Sequence, residues 1–208
     1  MTNRAKRMHK TGTGTFLMEL ASYSKNDDMF SYLTGFLCHY ALDSTTHPFI
    51  NEKANKIPGM HMAIEHRLDE MELMQQGKKT KDLMKLFVKF PNLPEVMKAE
   101  SNVYGWKKNC HKVAYDYMKL YYWLSIDSLG VINLIFRNMK EKFGAFSRKN
   151  RKANGIDLSG FDSLEKESEE MAIELIIAAY KYRNEEIGGD ELDEHIGNRS
   201  YSGGEATC

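Results

Sequence analysis

Apolar residues recur at helical spacing along most of this chain, and the alternation expected of a half-buried strand is missing over any useful length. Phe16, Leu17, Leu20 and Ala21 predict a first helix over 13–24. Asn26, Asp27 and Asp28 then form an N-cap cluster. Met29, Phe30, Leu33, Phe36, Leu37 and Tyr40 follow as the apolar face of a second helix. That helix is expected to end near Thr46, because the residue before Pro48 is biased away from the α region. Phe49 to Gly59 reads as a loop, with Asn51, Asn55, Pro58 and Gly59 as breakers.

A third helix is expected over 60–76, where Met60, Met62, Met71 and Met74 read as adaptable core filling. Shorter helices follow over 81–90 and 95–104. The apolar period of Val113, Ala114, Tyr117, Met118, Tyr121 and Leu124 predicts a long helix over 107–129, and 131–143 continues as helix. A capping box at Asp162 and Glu165 opens a last helix to Arg183, with Met171, Leu175, Ala178, Ala179 and Tyr182 inward. After Gly188 and Gly189 the chain is polar and reads as a mobile tail, His195 included. The fold class is therefore all-α, a compact multi-helix bundle: a single domain over 1–187 and a tail over 188–208.

Composition narrows the field. The chain has 208 residues, enough for one domain with a sizeable core. Lys+Arg and Asp+Glu both number 29, so the net charge is zero, which argues against a basic footprint for nucleic acid. No apolar run is long enough to span a bilayer. The three cysteines, Cys38, Cys110 and Cys208, read as free thiols. The basic start, Met1 to Lys10, lacks the apolar core and cleavage site of a signal peptide, which points to the cytoplasm; a longer N-terminus would reopen secretion.

The chemistry concentrates between Gly35 and Glu65. His39, Asp43 and His47 are spaced by four, and His61 and Glu65 again by four. Residues four apart share a helix face, so these form two same-face sets. Single His–carboxylate pairs are usually surface decoration. Five groups of this type, set among Phe36, Leu37, Tyr40 and Leu42, are a different matter, because burying a carboxylate is costly unless it is paired or coordinated. Imidazole and carboxylate are the usual zinc ligands where cysteines are not used. His66 and Glu70 form a further i,i+4 pair, read as solvated. Tyr117, Tyr121, Tyr122 and Trp123 are candidates for a lipid or choline pocket, with core packing as the commoner role. The basic run Arg148, Lys149, Arg151, Lys152 reads as solvated surface.

The block from Gly35 through His39, Asp43 and His47 to Phe49, followed by His61 and Glu65, resembles the zinc-dependent phospholipase C family, in its clostridial form. His9 matches the family's histidine ahead of this block, and the resemblance runs to about Tyr201. It implies the same helical fold, the one shared with the related single-strand nucleases. It implies metal ligands at His9, His39, Asp43, His47, His61 and Glu65. His47, His61 and Glu65 would hold one zinc; His9, His39 and Asp43 a second, with Asp43 able to bridge to a third. Secreted relatives carry further ligands upstream, an aspartate among them, and the eight residues before His9 contain no His or Asp. Two zincs are thus expected, and three if upstream ligands exist. No side chain is assigned as catalytic: Glu65 and Asp43 are read as ligands, and metal-activated water as the nucleophile. The implied function is phosphodiester hydrolysis of a phospholipid headgroup, with phospholipid as partner, a peripheral membrane surface as its setting, and no nucleic acid. The alternatives are a related zinc nuclease or phosphodiesterase, and a non-catalytic helical protein with a residual metal site.

Overall fold

The structure is a computed structural model that describes residues 11–78, 82, 93–106, 112, 113, 115, 116, 119, 153 and 155–201. The helices expected over 81–90, 107–129 and 131–143, the aromatic set at 117–123 and the basic run at 148–152 lie outside the described residues, apart from isolated positions. Six helices are described: α1 (Thr13–Ser22), α2 (Asp27–Ala54), α3 (Met60–Gln75), α4 (Pro94–Tyr104), α5 (Phe161–Arg183) and α6 (Gly189–Ile196). The fold is all-α.

The chain forms two compact units. The first comprises Met1–Phe49, Asn92–Lys108 and Leu158–Cys208. Its core gathers one stripe from each of five helices. Phe16, Leu17 and Leu20 come from α1, and Met29, Leu33, Leu37 and Tyr40 from α2. Val96 and Ala99 come from α4, Leu175, Ala178 and Ala179 from α5, and Leu192 and Ile196 from α6. These are the inward positions that the helical period picks out, and removing their apolar surface from water drives the packing. Phe16 anchors the centre, its ring edge-on to Phe36 at 5.4 Å and tilted against Tyr104 at 5.4 Å.

The second unit comprises Ile50–Pro91 and Asn109–Asp157. Its described part is the last turn of α2, the turn that follows, and α3, with Ile50, Ala54, Ala63, Ile64 and Leu73 buried. Arg67 of α3 donates from Nη1 to the carbonyls of Ala153 (2.5 Å) and Ile156 (2.9 Å), which ties a remote stretch of chain to this helix.

The N-cap of α2 forms as expected: Asn26 Oδ1 accepts the Met29 N–H at 2.8 Å, and Asp27 and Asp28 occupy the first turn, where negative charge suits the helix dipole. Its end differs. The helix runs through Pro48 to Ala54 rather than stopping near Thr46. Pro48 cannot donate to the Ser44 carbonyl, which usually costs about 3 kcal/mol in a helix interior. Its own ring sits on the exposed side, while Ile50 and Ala54 beyond it gain burial. The turn is confined to 55–59, with Asn55, Lys56 and Gly59 at positive φ.

Three further expectations are corrected. The box at Asp162 does not form. Helix α5 begins at Phe161 behind Gly160, whose left-handed backbone (φ 90°) supplies the N-cap with no side-chain bond, so Asp162 already lies inside the first turn. Of the α3 methionines only Met60 is buried; Met62, Met71 and Met74 are exposed, so they do not fill a core. Finally, the segment expected to be mobile from 188 is helical over α6 and packed to Tyr201, with Leu192 wholly buried. Two apolar side chains four apart, Leu192 and Ile196, are enough to dock this short helix.

Candidate metal centre

Because α2 continues past Pro48, His39, Asp43, His47 and Asn51 fall on one stripe at steps of four. In the first unit this brings the Asp43 carboxylate between two imidazoles. His39 Nδ1 stands 3.4 Å from Asp43 Oδ1, and His47 Nε2 stands 3.7 Å from Asp43 Oδ2. Both separations exceed a good N–H···O bond. They approach the roughly 3.3 Å edge between two ligand atoms on one tetrahedral zinc with ligand bonds of about 2.0–2.1 Å. Asp43 is buried, with 13% of its side chain exposed, and His47 nearly matches it at 12%. His39 is half-exposed and opens the set to solvent.

Contacts from the chain's other end hold these rings. The Tyr201 carbonyl lies 2.6 Å from His47 Nδ1. A carbonyl only accepts, so Nδ1 carries the proton and donates; the neutral ring then keeps its lone pair on Nε2, the atom facing Asp43. The Tyr201 ring lies 5.1 Å from that of His39, tilted by 31°, and Phe36 meets His39 edge-on at 5.9 Å. Burial holds the Tyr201 hydroxyl well above its ordinary pKa, and the negative charge of Asp43 adds to that, so the phenol stays protonated.

In the second unit, α3 presents His61 and Glu65 one turn apart, with Nε2 to Oε1 at 2.8 Å. Asn51 Oδ1 lies 2.9 Å from His61 Nδ1. As the amide stands, both ring nitrogens face acceptors. Without a metal, both contacts are satisfied by a doubly protonated ring, a turned amide or a protonated Glu65. A cation at Nε2 and Glu65 removes that conflict, while Asn51 keeps the proton on Nδ1, the outer contact that metal-ligating histidines commonly make. Negative charge accumulates nearby: burial first, then Glu65 and Glu70, push the Asp69 carboxyl up to about 6. His66, expected to be solvated with Glu70, has only 14% of its side chain exposed and faces Asp69 at 3.9 Å.

The donor types and their spacing therefore fit zinc, in a half-site on each unit. His9, assigned to the second ion, lies outside the described residues. Asn51 and Tyr201 are the functional contacts that sequence reasoning missed. Asn51 could have been found, since it extends the 39–43–47 ladder by one more step of four, but it was read as a breaker. Tyr201 acts on His47 through its main chain, which leaves no mark in residue type.

The family described as zinc-dependent phospholipase C matches residues 2–130, more than half of the chain. No curated protein and no solved structure matches it.

Proposed function

The chain belongs to the zinc-dependent phospholipase C family, and on that premise we propose that it is a zinc-dependent phosphodiester hydrolase that releases the headgroup of a phospholipid. The single observation that carries this reading is the Asp43 carboxylate lying buried between the imidazoles of His39 and His47. Burying a carboxylate is costly unless it is paired or coordinated, and a bound cation beside the two imidazoles would supply that.

His47, His61 and Glu65 hold one zinc in this proposal, a set of two nitrogens and one carboxylate that leaves a coordination position open. His39 and Asp43, joined by His9, would hold a second. When bound, zinc supplies Lewis-acid polarisation of the phosphoryl group and acidifies water. The chain's own contribution is alignment: the Tyr201 carbonyl and Asn51 keep the protons of His47 and His61 on Nδ1. Glu65 and Asp43 act as ligands; neither is the base.

Elemental analysis of purified protein tests the metal directly. Hydrolysis should then be followed, with zinc added, on phosphatidylcholine vesicles, a soluble aryl phosphodiester and single-stranded DNA. Preferred cleavage of the lipid supports the proposal. Preferred cleavage of DNA would replace it with a nuclease. Cleavage of none, in zinc-loaded protein, would leave the metal a structural role.

A further inference from the structure

The segment after α6 lies beyond the family match and is fastened at several points, all in the first unit. The Tyr40 hydroxyl donates to the Ile196 carbonyl (3.0 Å) and accepts the Arg199 N–H (2.9 Å), so one buried side chain on α2 clasps both ends of the turn. Asn198 Oδ1 accepts the Gly14 N–H of α1 at 3.2 Å. The Gly197 carbonyl crosses α1 so closely that a Cβ at Gly14 would stand 2.4 Å from its oxygen. Gly197 makes the turn at φ 62°, where a side chain would be strained. The Tyr201 ring is buried against Tyr40, edge-on at 5.5 Å. These contacts lead to one outcome, the Tyr201 carbonyl set against His47 Nδ1.

We propose that residues 197–201 form a positioning strap that locks His47 in its Nδ1–H tautomer and so presents Nε2 to the metal. A free neutral imidazole favours the opposite tautomer, with the proton on Nε2. That form would have to shed or move its proton before Nε2 could bind zinc. The strap makes this choice in the metal-free protein, so zinc meets a ready ligand. Tyr40 is then a positioning residue, and Gly14 keeps clear the space in which the strap lies. The inference rests on the proposed zinc ligation by His47, but its primary readout does not require zinc.

The test uses the full chain labelled with nitrogen-15 in histidine, metal-free, at about pH 8, where an ordinary imidazole is neutral. Imidazole correlation spectra, with His47 assigned by comparison with His47→Ala, should show the Nδ1–H pattern in the wild type. Tyr40→Phe removes only the clasping hydroxyl. It should move His47 toward the Nε2–H form and weaken zinc binding roughly tenfold or more in competition with a chromophoric chelator, with the helical circular dichroism unchanged. Gly14→Ala, which displaces the strap from the opposite side, should do the same. Glu191→Gln, on the exposed side of α6, should change neither. An Nε2–H pattern for His47 in the wild type overturns the proposal, as does an unchanged tautomer in both strap variants. Should Tyr40→Phe fail to fold, the wild-type spectrum and Gly14→Ala still decide. A wild type that binds no zinc yet shows the Nδ1–H pattern would sink the metal reading and leave the strap standing.

Discussion

Single side chains carry the metal argument. His61 is held at Nδ1 by Asn51 and faces Glu65 through Nε2. His61→Ala removes a nitrogen ligand and should lower the zinc content by about one ion per chain; elemental analysis checks this, and an unchanged count would exclude His61 as a ligand. Asp43 faces two rings, and in the proposed ligation it shares a second ion with His39 and His9. Its ring partner His39 is half-exposed, so this ion should be released first. A chelator titration should therefore run in two phases, with Asp43→Asn abolishing the looser one. Asp69 offers a test by pH. Its native carboxyl is raised to about 6, against about 3.9 in an unfolded chain. The native state thus holds the proton more tightly. The resulting stabilisation is full below about pH 4 and is lost as the pH climbs through 6. In metal-free protein, thermal melts of Asp69→Asn should lack the part of the decline that the wild type shows across this window.

At the scale of elements, the apolar period found α1, α3, α4 and α5 to within a residue or two, because their inward stripes are long and regular. It failed where a local rule met a tertiary one. Pro48 was read as a terminator; instead the helix passes through it, because burial of Ile50 and Ala54 outweighs one missing hydrogen bond. The consequence is local, since only a helix continued past Pro48 carries Asn51 to the place where it meets His61. The candidate ligands themselves were legible, because i,i+4 spacing on a helix survives any packing. The strap was not, because most of its bonds run from main-chain atoms and its helix α6 shows only two buried apolar side chains. Leu192→Ala tests that docking. Leu192 is wholly buried, and truncating such a residue costs about 2–5 kcal/mol. Urea unfolding followed by circular dichroism should show a loss in that range; a change within about 0.5 kcal/mol, as at an exposed site, would mean that α6 adds little to the core.

For the whole molecule, charge separates the two phosphodiesters that such a zinc site could cleave. Nucleic acid presents a dense row of phosphates, and a protein that binds it neutralises several and releases their counterions. Its affinity then falls by about 10³–10⁵ between roughly 50 and 200 mM salt when six to ten phosphates are contacted. This chain balances 29 basic against 29 acidic residues, so it has no surplus positive charge to drive such binding. A zwitterionic phospholipid makes no comparable demand, since its phosphate carries its own counter-charge. Hydrolysis of phosphatidylcholine vesicles by the zinc-loaded protein should therefore change less than about threefold across that salt range. The measurement is initial rate against salt at fixed zinc, with single-stranded DNA run in parallel. A steep fall with salt on the lipid would point to net charge attraction that the composition does not provide. Salt-sensitive cleavage of DNA, faster than that of lipid at low salt, would assign the zinc site to nucleic acid instead.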